Sequence, residues 1–125
     1  MTIKTLSKQV CSLLIILQTE ILIAKESDYQ NIWCSLNKGK VEVTLNDRTR
    51  VDCLTASHAI EFDFAHKWAE AIGQSLYYSL KTGKKAGIVL IYRKSKDHKY
   101  LVRLKSVIDA NDLPITIWTM DNKFN

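Results

Sequence analysis

The sequence predicts an α/β domain on a mixed sheet, with an αβββαβ core followed by an extra helix and strand. Three observations carry this expectation. Residues 87–92 (GIVLIY) form a continuous apolar run, as in a strand covered on both faces. Residues 41–45 alternate Val41, Val43 and Leu45 against Glu42 and Thr44, and the turn at Asn46-Asp47-Arg48-Thr49 leads into a second extended run at 50–54, which makes a hairpin. Between the runs at 59–64 and 87–92 lies a helical pattern long enough for a parallel crossover.

With 125 residues the chain is one domain with room for a buried core. Hydrophobic residues at 46% and charged residues at 25% are ordinary for a globular chain, and one Pro with four Gly argues against long disordered tracts. The formal charge of +5 gives a mild attraction to polyanions. No repeat, linker or low-complexity tract interrupts the chain.

Residues 10–24 (VCSLLIILQTEILIA), preceded by Lys4 and Lys8, have the basic start and apolar middle of a secretory leader. Gln18, Thr19 and Glu20 break the run, which argues against a membrane span of about 20 mainly apolar residues. Two readings stand side by side: a leader cut after Ala24, with Leu22 a poor fit to the small residue wanted two places earlier, or an amphipathic first helix over 7–24. The domain proper is then 25–125. Cutting removes Cys11 and leaves Cys34 and Cys53 as a pair suited to a disulfide in an exported or periplasmic protein. Without cutting, the three cysteines are small buried thiols in a reducing cytoplasm. No Cys-x-x-Cys is present, which dismisses a structural zinc site.

Residues 26–36 read as a helix with Ser27 or Asp28 at its N-cap and Tyr29, Ile32, Trp33 and Leu36 along one side. In the hairpin, a three-residue loop at 46–48 sets Glu42 opposite Asp52, whereas a two-residue loop at 47–48 puts them on different faces. The strand at 59–64 turns Ile60, Phe62 and Phe64 one way and Glu61 and Asp63 the other. A helix from Ala65 to Leu80 follows. Its apolar stripe is Ala65, Trp68, Ala69, Ile72, Leu76 and Leu80, nearly opposite a narrow polar stripe of Lys67, Gln74 and Tyr78. Residues 93–99 (RKSKDHK) read as a charged turn, either solvated or touching phosphates. Tyr100, Leu101, Leu104, Val107 and Ile108 mark a last helix, and 115–120 (ITIWTM) a last strand in which Trp118 reads as packing.

Asp52 and Glu61 on adjacent extended runs, with Lys67 on the next helix, are the residue types that metal-assisted phosphodiester chemistry uses: carboxylate oxygens for a hard cation and a cation near the water or phosphate. His58, at the mouth of the strand, is placed to act as a base or to bind phosphate. His66 and His98 read as solvated.

The order of a strand ending in Val51-Asp52, a strand carrying Glu61, and a helix with Lys67 and a Gln-x-x-x-Tyr at Gln74 and Tyr78 resembles the PD-(D/E)xK nuclease superfamily, whose fold is restriction-endonuclease-like. A closer resemblance is to small, often leader-bearing bacterial proteins sharing RVDCLT, HAIExDFA, KWxEAIGQ and GIVLI, which stand here at 50–55, 58–65, 67–74 and 87–91. The likeness covers residues 33–92. It implies an endonuclease acting on DNA with Mg²⁺ or Mn²⁺. Asp52 and Glu61 would hold the metal with the Phe62 carbonyl as a third contact, Lys67 would orient the water or steady the phosphate, and Asp63 would assist. Gln74 and Tyr78 would position the substrate backbone, with Glu26 and Glu42 as secondary candidates. One departure matters: the superfamily pattern has a lysine where this chain has Asp63. Either Lys67 takes that role from the helix, or catalysis is lost and the fold binds nucleic acid or a protein partner. A disulfide-held exported protein with a structural or inhibitory role is a further alternative.

Overall fold

A computed structural model of the chain describes residues 25–122. The leader-or-helix segment and Cys11 lie outside the described residues. The order is α1 (Glu26–Leu36), β1 (Lys40–Thr44), β2 (Arg50–Leu54), β3 (His58–Phe64), a 3₁₀ turn (Ala65–Lys67), α2 (Trp68–Thr82), β4 (Lys85–Tyr92), α3 (Lys94–Ala110) and β5 (Ile115–Asp121). The chain is therefore α/β, with a five-stranded mixed sheet in the order β1-β2-β3-β4-β5. The β1–β2 and β2–β3 pairs are antiparallel, while β3–β4 and β4–β5 are parallel.

Helices cover both faces of the sheet. On one face Ile88 and Leu90 pack with Ala71 of α2 and Leu101, Leu104 and Ile108 of α3. On the other, Ile60, Phe62 and Val89 pack with Cys34 and Trp33 of α1. This two-sided cover explains the unbroken apolar run of β4. Cys34 and Cys53 are joined by a disulfide, and both are fully buried. It ties α1 to β2. A Cβ on Gly39 would meet each sulfur at 2.6 Å, so only glycine lets the chain cross the bridge this closely.

The hairpin loop is the three-residue one. Leu45 N–H donates to the Thr49 carbonyl at 2.8 Å and Arg48 N–H to Leu45 at 2.9 Å, with Arg48 at φ 71°. Val41 then faces Cys53 and Val43 faces Val51, which puts Glu42 at the position opposite Asp52. Glu42 itself leaves the ladder at φ 53°, breaking the expected alternation of β1, and pairs with Arg50 at 3.5 Å.

Four sequence expectations need correction. Residues 93–99 are not a turn: α3 starts at Lys94, because Asp97 turns back to accept Arg93 N–H at 2.8 Å and Arg93 Nε at 3.1 Å. The α1 helix starts at Glu26 with Lys25 as its cap, and Asp28 sits inside the first turn accepting Lys25 N–H at 2.9 Å. Its inward side is Tyr29, Gln30 and Cys34, leaving Ile32 and Leu36 exposed, since Cys34 must reach Cys53. The third correction concerns the helix after β3, which opens as a 3₁₀ turn and buries Ala71, Ser75 and Tyr78. Small side chains at 71 and 75 let it lie close to the sheet, so Ala69 and Leu80 of the expected stripe face outward. Finally, Tyr78 of the expected polar stripe packs on Val51 and Ala59.

Reducing the bridge, or Cys34→Ser, is expected to lower stability by about 2–4 kcal/mol. Gly39→Ala should destabilise the oxidised chain more than the reduced one. Urea denaturation followed by tryptophan fluorescence checks both, and an unchanged midpoint for Gly39→Ala in the oxidised chain would contradict the crowding at the sulfurs.

Candidate active site

The acids meet where β2 and β3 part. Their ladder holds Cys53 opposite Ile60 and Leu54 opposite Ala59, and continuing that register sets Asp52 opposite Glu61. The strands separate there instead, and side chains take over from the ladder. Asp52 Oδ2 accepts Phe62 N–H at 2.8 Å, and Gln30 Nε2 of α1 donates to the Asp52 carbonyl at 2.8 Å. Buried backbone groups must be paired, so these two bonds make the gap affordable and fix Asp52 beside β3.

Glu61 is 5% exposed and Asp63 4%, both on the α2 face of β3. Glu61 Oε2 is enclosed with no hydrogen-bond partner among the described residues. Burial, then adjacent Asp52, pushes the Glu61 carboxyl up to about 10, with Asp63 and Glu26 adding to the effect. Burial, then Glu26, pushes Asp63 up to about 7. Asp52 is raised by burial, in part offset by the Phe62 N–H. Glu26 is also raised, by burial and then by Asp52. Glu26, Asp52, Glu61 and Asp63 therefore form one interacting set of acids.

Lys67 stands exposed at the end of the 3₁₀ turn, where its charge favours the ionised forms of Glu26 and Asp63. It makes no direct ion pair; those among the described residues are Arg50–Glu42 and Arg93–Asp97. Tyr78 borders the acids from α2: burial, then Glu61 and Asp52, raises its hydroxyl, and Gln74 lies against it. Glu42 acts weakly on Asp52 from β1. His58 is not in this group. It shares strand parity with Ile60 and Phe62, and its ring lies against Trp118 on the opposite face, with Nδ1 2.7 Å from Ser57 Oγ and Nε2 3.0 Å from Thr116 Oγ1.

Sequence reasoning missed Gln30 and Glu70, the latter acting on Asp63. Gln30 had a readable signal, since it sits four residues before Cys34 on the inward side of α1. Among the described residues no three carboxylate, imidazole or thiol groups already surround a common point as a formed metal centre would. Asp52 and Glu61 already interact directly through their side chains, while no third such group joins them around one point among the described residues. No helix among the described residues is long and apolar enough to cross a membrane. No family model matches the chain, and neither a curated protein nor a solved structure matches it.

In an unfolded chain these carboxyls ionise near pH 4. Both are raised in the fold, so their contribution to stability is complete below about pH 4 and is lost as pH rises toward about 7 for Asp63 and about 10 for Glu61. Glu61→Gln is therefore expected to stabilise the protein at pH 8 by at least about 1 kcal/mol, the worth of roughly one pKa unit, and to change little at pH 4. Urea midpoints at the two pH values check this; a lower midpoint for the variant at pH 8 contradicts it.

Proposed function

We propose that the protein is a divalent-cation-dependent phosphodiesterase acting on DNA, built on a restriction-endonuclease-like arrangement of its α/β core. The observation that carries this reading is the parting of β2 and β3 at Asp52, beside a Glu61 whose enclosed Oε2 has no hydrogen-bond partner among the described residues. A structural core gains nothing from buried and half-buried carboxyls set close enough to hold protons on one another, whereas a reaction site uses them. The donor set also fits a hard cation, being carboxylate oxygens without thiolate or imidazole. Asp52 and Glu61 would hold Mg²⁺ or Mn²⁺, with Asp63 assisting. Such a cation supplies polarisation of a phosphoryl oxygen and acidification of water.

The chain's own residues do the rest. Glu61 must release the proton it keeps at neutral pH, so cation affinity rises with pH. Lys67, exposed and free of an ion pair among the described residues, steadies the phosphate or orients the water. Tyr78 borders Glu61 and Asp52 with Gln74 against its hydroxyl, and the two would position a substrate strand. The net charge of +5 and the exposed Lys94, Lys96 and Lys99 at the start of α3 favour a polyanion. The Cys34–Cys53 bridge favours an oxidising compartment such as the periplasm.

A second reading, a nuclease-fold module that binds without cleaving, draws support from Asp63 in the lysine position and from the absence of a formed three-ligand cluster among the described residues. Incubation with supercoiled plasmid separates the two. The first reading expects nicking with Mg²⁺ or Mn²⁺, lost with chelator and reduced at least about a hundredfold by Asp52→Ala or Glu61→Ala, beyond the 10–100-fold typical of outer-shell changes. DNA binding without nicking under any cation would decide for the second.

A further inference from the structure

The face of the sheet away from the acids carries a cavity of about 300 Å³ between α1, the 55–57 loop and β5. Its size lies at the small end of the roughly 300–1,000 Å³ range of ligand pockets. Two half-exposed indoles form its walls, Trp33 of α1 and Trp118 of β5, with ring centroids 5.2 Å apart and planes at 59°. Trp118 packs on the core as expected, and its seat is specially shaped. A Cβ on Gly87 would meet its Cζ3 at 2.8 Å, so the bare glycine lets the indole lie down on β4. The edge of His58 meets it at 5.1 Å.

Polar residues also line the cavity and are held in place. His58 is bracketed by the hydroxyls of Ser57 and Thr116, at 2.7 and 3.0 Å. Burial, then the charge of Lys85, favours its neutral form, whose one donor and one acceptor nitrogen are both taken by these hydroxyls, which fixes the ring. Asn37 donates its amide to the Trp33 carbonyl at 2.8 Å, leaving its own oxygen as an acceptor. The loop beneath is locked by Thr55, whose hydroxyl accepts His58 N–H at 3.0 Å. Among the described residues no carboxylate lines the cavity; Lys38 stands on its rim, and Lys84 reaches the Ala56 carbonyl at 2.9 Å.

We propose that this cavity binds one nucleotide, its base laid against the accessible part of the Trp33–Trp118 pair, its edge met by the Ser57 hydroxyl and the Asn37 amide oxygen, and its phosphate met by Lys38. Stacking on an aromatic side chain suits any base, and the Lys38 ammonium on the rim suits a phosphate rather than a neutral sugar ring. The site uses residues separate from the acid cluster and does not depend on phosphodiester cleavage. Its ligand comes either from an unpaired DNA strand or from a free nucleotide, and one titration tells them apart.

The three tryptophans give three indole N–H signals, and Trp68, which packs on the α3 side, serves as an internal control. In chelator, so that cleavage plays no part, ¹⁵N-labelled protein is titrated with thymidine 5′-monophosphate, a ten-residue oligothymidylate, ribose 5-phosphate, inorganic phosphate and a neutral disaccharide. The expected result is saturable shifts of Trp33 and Trp118, but not Trp68, with the two base-bearing ligands alone. Tighter binding of the oligomer identifies a strand as the source, and equal binding a free nucleotide. Trp118→Ala should weaken binding roughly tenfold or more, in keeping with about 1–3 kcal/mol per stacked base. Lys38→Glu, at an exposed position, tests the rim without touching the core and should weaken binding several-fold. No indole shift at millimolar ligand, equal shifts of all three, or the same shifts with ribose 5-phosphate, phosphate or disaccharide would overturn the proposal.

Discussion

The structure turns on the point at which Asp52 leaves the β2–β3 ladder. An antiparallel pair that simply continued would have placed two carboxyls side by side in a closed sheet, with no room between them and no reason for either to ionise. Instead the Asp52 carboxylate takes Phe62 N–H and Gln30 takes the Asp52 carbonyl, so the strands open without leaving either group unpaired. The second depends on α1 lying where it does, since Gln30 belongs to that helix. The Cys34–Cys53 bridge, one residue from Asp52, anchors that helix, and Gly39 makes room for the bridge.

The single strand β3 then separates two chemistries by side-chain parity. Glu61 and Asp63 face α2, where burial and mutual repulsion keep protons on them. His58, Ile60 and Phe62 face α1, the first at the mouth of a tryptophan-walled cavity and the other two in the core. A seven-residue strand buried on both sides is short for such a load. It is made tolerable by β4, whose unbroken parallel pairing from His58↔Lys85 to Phe64↔Ile91 supports it along its whole length.

Much of this frame was legible from local pattern. The hairpin, the shared face of Glu61 and Asp63, the doubly covered β4 and the helix spanning 26–36 all follow from periodicity and turn chemistry. What was not legible depended on contacts across space. Residues 93–99 looked like a loop because charge density reads as solvent, whereas one buried acid, Asp97, folds back to start a helix. The inward side of α2 was misjudged because apolarity was weighed above size: Ala71 and Ser75 are inside for being small, and Leu80 is 79% exposed. The parity that takes His58 away from the acids was in the sequence all along, since it is three residues from Glu61 on a strand. The roles of Gly39 and Gly87 had no comparable signal, because each answers to a group brought close only by the fold.

The central physical claim is that Asp52 and Glu61 together offer a seat for one dication. Paramagnetic broadening by Mn²⁺ tests it most directly, since amide signals fade with distance from the ion. A shared seat gives saturable broadening centred on Asp52, Glu61 and Phe62, reaching Lys67, and removed by Glu61→Gln. Broadening centred instead on exposed acids such as Asp47 or Asp109, or none at millimolar Mn²⁺ up to pH 8, contradicts the claim.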